Sequence, residues 1–138
     1  MVFTNPDDDA IRLLLQQTEI IAVVGLSPKI NRPSHGVARA LKSFGYRIVP
    51  VRPMVAEVLG EKAYDTLEAV PDKIDLVNVF RAPKYVDDIV DSCIALEVPA
   101  IWLQEGVINE PAAARAQAVG MTVVMDRCSY KEYLRLCR

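Results

Sequence analysis

The chain has 138 residues, 51% of them apolar, and its 16 basic and 18 acidic residues leave a net charge of −2. That length supports one sheeted core and falls short of two ordinary domains, so residues 1–138 are read as a single domain. A near-neutral balance excludes a general nucleic-acid surface, which needs a basic excess or stripe, and no run reaches the roughly 20 apolar residues of a membrane helix.

Helix and strand signals alternate along the chain. Asp7 or Asp8 can cap a first helix in which Ile11, Leu14 and Leu15 recur at helical spacing. Residues 18–24 then form a buried strand that ends at Gly25. A second helix is expected from Pro33 or Ser34, with Val37, Ala38, Leu41 and Phe44 on one face and Gly45 as its left-handed stop. Residues 47–51 give the second strand. After a turn-rich stretch, residues 67–70 suit a helical turn capped by Thr66, and residues 76–80 a short apolar strand. Pro83 opens a further helix, whose Val86, Ile89, Val90, Cys93 and Ile94 make a core-facing stripe. Residues 100–103, 110–119 and 122–125 read as strand, helix and strand, and a last helix carries Tyr133, Leu134 and Cys137. Strands that are apolar throughout and joined by helices predict a doubly wound, Rossmann-like parallel sheet of about five strands in a three-layer α/β/α sandwich. A ligand crevice then lies outside the carboxyl ends of the strands, at Gly25, Arg52, Arg81, Gln104 and Arg127.

The first crossover, Ile20 to Val51, reads as half of a nucleotide-binding unit. Its loop continues after Gly25 with Ser27, Pro28, Lys29, Arg32 and Ser34 and lacks the later glycines of a GxGxxG fingerprint. The loop lies between a strand end and a helix start, where free amides and the helix dipole attract anions. The second strand runs into Arg52, where a carboxylate would instead hold a ribose 2′-hydroxyl. A guanidinium suits a phosphate ester, so the expected nucleotide carries an additional phosphate. Lys29 and Arg32 have the alternative of being solvated loop charges; Arg52 and Arg81 could pair with neighbouring carboxylates, and Arg127 with Asp126.

Cys93, Cys128 and Cys137 form neither a CxxC pair nor a metal-ligand spacing, and His35 is the one histidine. Neither a disulfide framework nor a transition-metal site is expected. His35, at a helix start, reads as a capping or surface residue, since no partner acid is visible for a catalytic role. Cys128 follows the last strand at the crevice edge. It can be a half-buried packing residue, the preferred reading, or a reactive thiol activated by Arg127 or a helix N-terminus. Thr4, Asn5, Pro6 and the three aspartates that follow stand where a secretion signal would be basic and then apolar, so a cytoplasmic protein is expected.

The segments VVGLSPKINRPSHGVARAL, GYRIVPVRP, LGEKAYDTLEAVPDKIDLVNVFR, IWLQEGV and VVMDRC, in that order, resemble the blocks of the small single-domain coenzyme A binding proteins. The resemblance spans residues 18–128 and extends to the coenzyme A binding domain of the succinyl-CoA synthetase α subunit and of nucleotide-diphosphate-forming acyl-CoA synthetases. It implies coenzyme A as the cofactor. Ser27, Lys29, Arg32 and Ser34 would take the diphosphate, and Val51, Arg52 and Pro53 the 3′-phosphate end; the family often has Asn at the position of Arg52. It further implies a coenzyme-contacting turn at Phe80, Arg81, Ala82 and Pro83, with Val86 flanking the adenine. Gln104, Glu105 and Gly106, after Leu103, would line the pantetheine path, Gln104 offering both donor and acceptor.

Resembling synthetases transfer phosphoryl groups with a histidine on a further domain and a nucleotide-binding subunit, and this sequence contains neither. Ligase activity by this chain alone is therefore not expected. The preferred expectation is a stand-alone coenzyme A or acyl-CoA binding module, acting as carrier, sensor or regulatory partner, with a homodimer or a synthetase subunit as its partner. The alternatives are an NADP-dependent oxidoreductase, in which Arg52 reads the 2′-phosphate, and an accessory subunit that completes an acyl-CoA synthetase in trans.

Overall fold

The computed structural model describes residues 3–138. Five parallel strands, β1 (Ile20–Val24), β2 (Arg47–Val51), β5 (Leu76–Val79), β6 (Ala100–Leu103) and β7 (Thr122–Met125), form one sheet in the order β2-β1-β5-β6-β7. A two-stranded antiparallel hairpin, β3 (Glu57–Val58) and β4 (Glu61–Lys62), stands beside it. The helices are α1 (Asp8–Gln17), α2 (Pro33–Ser43), α3 (Val86–Ala95), α4 (Glu110–Ala118) and α5 (Ser129–Leu136).

Side chains alternate across the pleat, so each strand feeds two cores. Ala22, Val77, Val79, Ile101 and Val123 pack with α3 and α4 on one face. Ile21, Val23, Ile48, Leu76, Trp102 and Val124 pack with α1, α2 and α5 on the other. The result is the expected three-layer, Rossmann-like α/β/α sandwich. Buried alanines Ala112, Ala113, Ala114 and Ala116 let α4 approach the sheet closely. On the opposite face Phe44 stacks on Tyr133, with ring centroids 4.1 Å apart, and joins α2 to α5.

Several boundaries differ from those read in sequence. Thr18 belongs to the end of α1, because its hydroxyl and its amide both donate to the Leu14 carbonyl, so β1 begins at Ile20. Asp7 is the α1 cap and accepts from the Ala10 amide. Residues 67–69 make a 3-10 turn, and Thr66 precedes it without a side-chain capping bond. Pro83 opens a short 3-10 turn instead of the α-helix itself, and Ile94 leaves the core stripe of α3 at 36% exposure. The hairpin of β3 and β4 occupies the stretch read as turns.

Both sheet edges are met by polar backbone partners. Outside β2, the Tyr64 amide donates to the Pro50 carbonyl and the Arg52 amide to the Tyr64 carbonyl. Outside β7, the Asn5 carboxamide accepts from the Met125 amide at 2.8 Å and donates to the Met125 carbonyl at 3.0 Å.

Burial pushes the Cys93 thiol up to about 12, with the Glu68 charge adding, and raises the Tyr46 phenol, whose hydroxyl donates to the Leu15 carbonyl. Both groups fold in the neutral form. Their folded values lie above the unfolded ones, so the stability they carry is intact below about pH 9 and is lost as pH rises toward about 12 for Cys93. Denaturant unfolding of the wild type is therefore expected to show falling stability across that window. Cys93→Ala should give a shallower fall, and equal slopes would remove Cys93 from the account.

Candidate functional site

The carboxyl ends of β1 and β5 mark the point where the chain turns in opposite directions, β1 leading through α2 to one sheet edge and β5 through α3 toward the other. Such a switch point leaves an open crevice. A cleft of about 660 Å³ occupies it, its walls drawn from the loops after β1, β2, β5, β6 and β7.

Gly25 lines that cleft where β1 and β5 come close together. Its amide donates to the Val51 carbonyl and its φ is +86°. A Cβ there would stand 2.6 Å from the Phe80 carbonyl oxygen. Phe80 cannot retreat freely, since its amide is held by the Val24 carbonyl. Glycine is thus required both by conformation and by the approach of β5.

The loop beyond Gly25 organises itself around two serines. Ser34 accepts from the Ser27 amide at 3.0 Å, and the Ser27 hydroxyl accepts from the Lys29 amide at 3.1 Å. α2 starts at Pro33 with no side-chain capping bond, and its first turn faces the cleft. An uncapped helix start of this kind attracts an anion.

Charge concentrates here. Lys29, Arg32, Arg52 and Arg81 all line the cleft, and among the described residues none forms an ion pair with a carboxylate. Elsewhere Arg47, Arg115 and Arg135 hold aspartates at 3.0, 2.6 and 2.8 Å. Arg81 lies over the Tyr85 ring, 4.0 Å from its centroid, an arrangement that keeps its charge available. Glu105 also lines the cleft, but Lys131 neutralises it at 3.1 Å.

Gln104, 4% exposed, is fixed by a buried relay. Asn78 donates to the Ser129 hydroxyl at 3.0 Å, and both the amide and the hydroxyl of Ser129 donate to Gln104 Oε1, at 3.1 and 2.9 Å. Gln104 lines the cleft with its oxygen engaged twice. Of the donor and acceptor read in sequence, the acceptor is thus engaged by Ser129 and the amide nitrogen makes no hydrogen bond among the described residues. Beside it the Gly106 amide donates to Asp126 Oδ1 at 2.8 Å, which holds the loop after β6 against the end of β7.

Of the residues singled out in sequence, Gly25, Ser27, Lys29, Arg32, Ser34, Arg52, Phe80, Arg81, Ala82, Pro83, Gln104, Glu105 and Gly106 are brought to this one cleft. Pro28 is exposed and does not line it. Val51 and Pro53 line instead a neighbouring pocket of about 220 Å³, walled by Val24, Leu67, Tyr85 and Ile89, that shares Arg81 with the cleft. Val86 is a correction: it is fully buried in the core at the first turn of α3 and cannot flank a ligand. Arg127 stands outside the cleft, 3.9 Å from Glu132 and not paired with Asp126. His35 is buried and also off the cleft wall. Sequence reasoning missed Pro33, Val37 and Val107 as wall residues; Val37 shares the helical spacing of core positions and gave no separate signal. Cys128 lines the cleft at 7% exposure. Among the described residues no three histidine, cysteine or acidic side chains stand together as metal ligands, and no helix is long and apolar enough to cross a membrane.

The fold and the cleft define a doubly wound α/β protein with an anion-attracting crevice at its topological switch point. The family model of the CoA binding domain matches residues 19–133, and the chain belongs to that family. It is similar to the uncharacterized protein YneT of Bacillus subtilis (strain 168), 40% identical over 124 residues, covering 90% of this chain and 92% of that protein. A hypothetical protein from Pyrococcus horikoshii OT3 superimposes with a TM-score of 0.92 at 35% identity over all of both chains. Acetate--CoA ligase [ADP-forming] I of Archaeoglobus fulgidus is 27% identical over 75 residues, which are 54% of this chain and 11% of that ligase.

Proposed function

We propose that the cleft binds coenzyme A or an acyl-CoA, and that the chain is a stand-alone binding module. The observation that carries this reading is the convergence of four carboxylate-free cations, Lys29, Arg32, Arg52 and Arg81, on a crevice bounded by an uncapped helix start. Family membership selects coenzyme A among the polyphosphate ligands such a crevice could hold.

In this reading the diphosphate lies at the start of α2 against Ser27, Lys29, Arg32 and Ser34. Arg52 takes the 3′-phosphate. The adenine enters the neighbouring apolar pocket beside Val51 and Pro53, with Arg81 between base and phosphates. The arm then runs past Gln104, whose nitrogen donates to an amide carbonyl of pantetheine. Binding and presentation of the coenzyme, as a carrier or sensor, account for the four cations and the uncapped helix start without a reaction step. The match to part of an acetate--CoA ligase supports a second role, an accessory subunit completing an acyl-CoA synthetase in trans. Co-purification of a nucleotide-binding synthetase subunit with the tagged chain would select that role.

Native mass spectrometry of the chain with coenzyme A, dephospho-coenzyme A and NADP in separate titrations tests the ligand. Coenzyme A is expected to bind most tightly and dephospho-coenzyme A about tenfold or more weaker, the value of a charge-assisted hydrogen bond. Binding of NADP without coenzyme A would replace this reading with a hydride-transfer one.

A further inference from the structure

We infer that Cys128 is a modification site at which the coenzyme's own thiol is held as a mixed disulfide. The inference rests on the coenzyme reading of the cleft. Cys128 lies on the cleft wall at the N-terminal end of α5, and the next residue, Ser129, is bonded directly to Gln104. Gln104 is buried at 4% exposure and lines the cleft, and among the described residues its amide nitrogen makes no hydrogen bond. That unpaired donor is free to bond a carbonyl of an amide-bearing arm lying along this wall. A pantetheine arm bonded there brings its terminal thiol to the neighbouring wall, which is Cys128.

Low exposure makes the site selective. At 7% exposure Cys128 offers little surface to a disulfide with no affinity for the cleft, yet it is open to one whose coenzyme half is seated there. The step is a thiol–disulfide exchange with the symmetric disulfide of coenzyme A as co-reactant. The Cys128 sulfur, as thiolate, attacks one sulfur of that disulfide. A new S–S bond joins Cys128 to one coenzyme, the old S–S bond breaks, and the second coenzyme leaves with the electron pair and takes up a proton as free thiol. The other cysteines do not compete within the cleft, because Cys93 is fully buried in the α3 core and Cys137 lies on the far side of α5 near Leu15 and Tyr133.

Intact-mass spectrometry of the full chain incubated with coenzyme A disulfide tests this, with glutathione disulfide in a parallel arm. The expected result is one adduct of coenzyme A mass less two hydrogens, removed by dithiothreitol. It should be absent in Cys128→Ser, retained in Cys137→Ser, and formed at least about tenfold faster than the glutathione adduct because bound reactant is held at high effective concentration. Native titration of Cys128→Ser with reduced coenzyme A separates the two readings. If that variant binds coenzyme A and the wild type gains no adduct, the disulfide inference fails alone. If neither binds, both fail. Equal rates with the two disulfides would also overturn it, by showing a merely exposed thiol.

Discussion

Replacing Gly25 by alanine is expected to lower stability by roughly 2 to 4 kcal/mol, combining left-handed backbone strain with a contact that the core cannot relieve. The added carbon would meet the Phe80 carbonyl oxygen at 2.6 Å and the Arg81 side chain at 3.2 Å. Separating them means moving β5 away from β1, which breaks the parallel ladder at Val24 and Val79 and widens the switch point itself. Coenzyme binding should therefore fall even under conditions where the variant remains folded. Gly36 supplies the matched control, since a carbon added there meets nothing within 4 Å and the residue lies inside α2. Gly36→Ala should be neutral or stabilising by about 0.5 kcal/mol. Thermal unfolding of the pair decides it: a Gly25→Ala melting point within a degree or two of the control would show that the approach to Phe80 is slack.

Arg52→Ala should weaken coenzyme A about 10- to 100-fold, the range for losing a hydrogen-bonded charge. Arg52 is half-buried on the cleft wall with its amide fixed to Tyr64, so its side chain is presented from an anchored backbone. If its target is the 3′-phosphate, the same substitution should hardly change the affinity for dephospho-coenzyme A, because the partner has already gone. Arg52→Lys should recover part of the loss, keeping charge without the forked geometry. Calorimetric titration of the four combinations gives the coupling. Equal losses on both ligands would move Arg52 away from that phosphate and toward a general electrostatic role.

The strands of the main sheet were readable because each is a short, mostly apolar run, and Gly25, Arg52 and Gln104 fell on one edge because each directly follows such a run. Strand order was not readable: nothing in residues 76–80 says that β5 inserts between β1 and β6. The hairpin at Glu57–Lys62 was hidden because two-residue strands carry no periodicity. Spacing put Val86 in the core-facing stripe, where it lies; the adenine contact implied by the family resemblance is what its full burial opposes. The orientation of Gln104 depends on Ser129, 25 residues later, and on Asn78 on a third strand. Long-range polar relays leave no local trace in sequence, whereas apolar spacing does.

Asn5 and Tyr64 guard the two margins of the sheet. A parallel sheet ends in two ribbons of unused amides and carbonyls, which invite a further strand. Here Tyr64 engages Pro50 and Arg52 on one ribbon, Pro50 itself has no amide to offer, and the Asn5 carboxamide stands in for a neighbouring residue at Met125 on the other. Strand addition is thereby obstructed at the carboxyl end of each margin. A further strand would have to displace Tyr64 at one margin or Asn5 at the other before it could pair there.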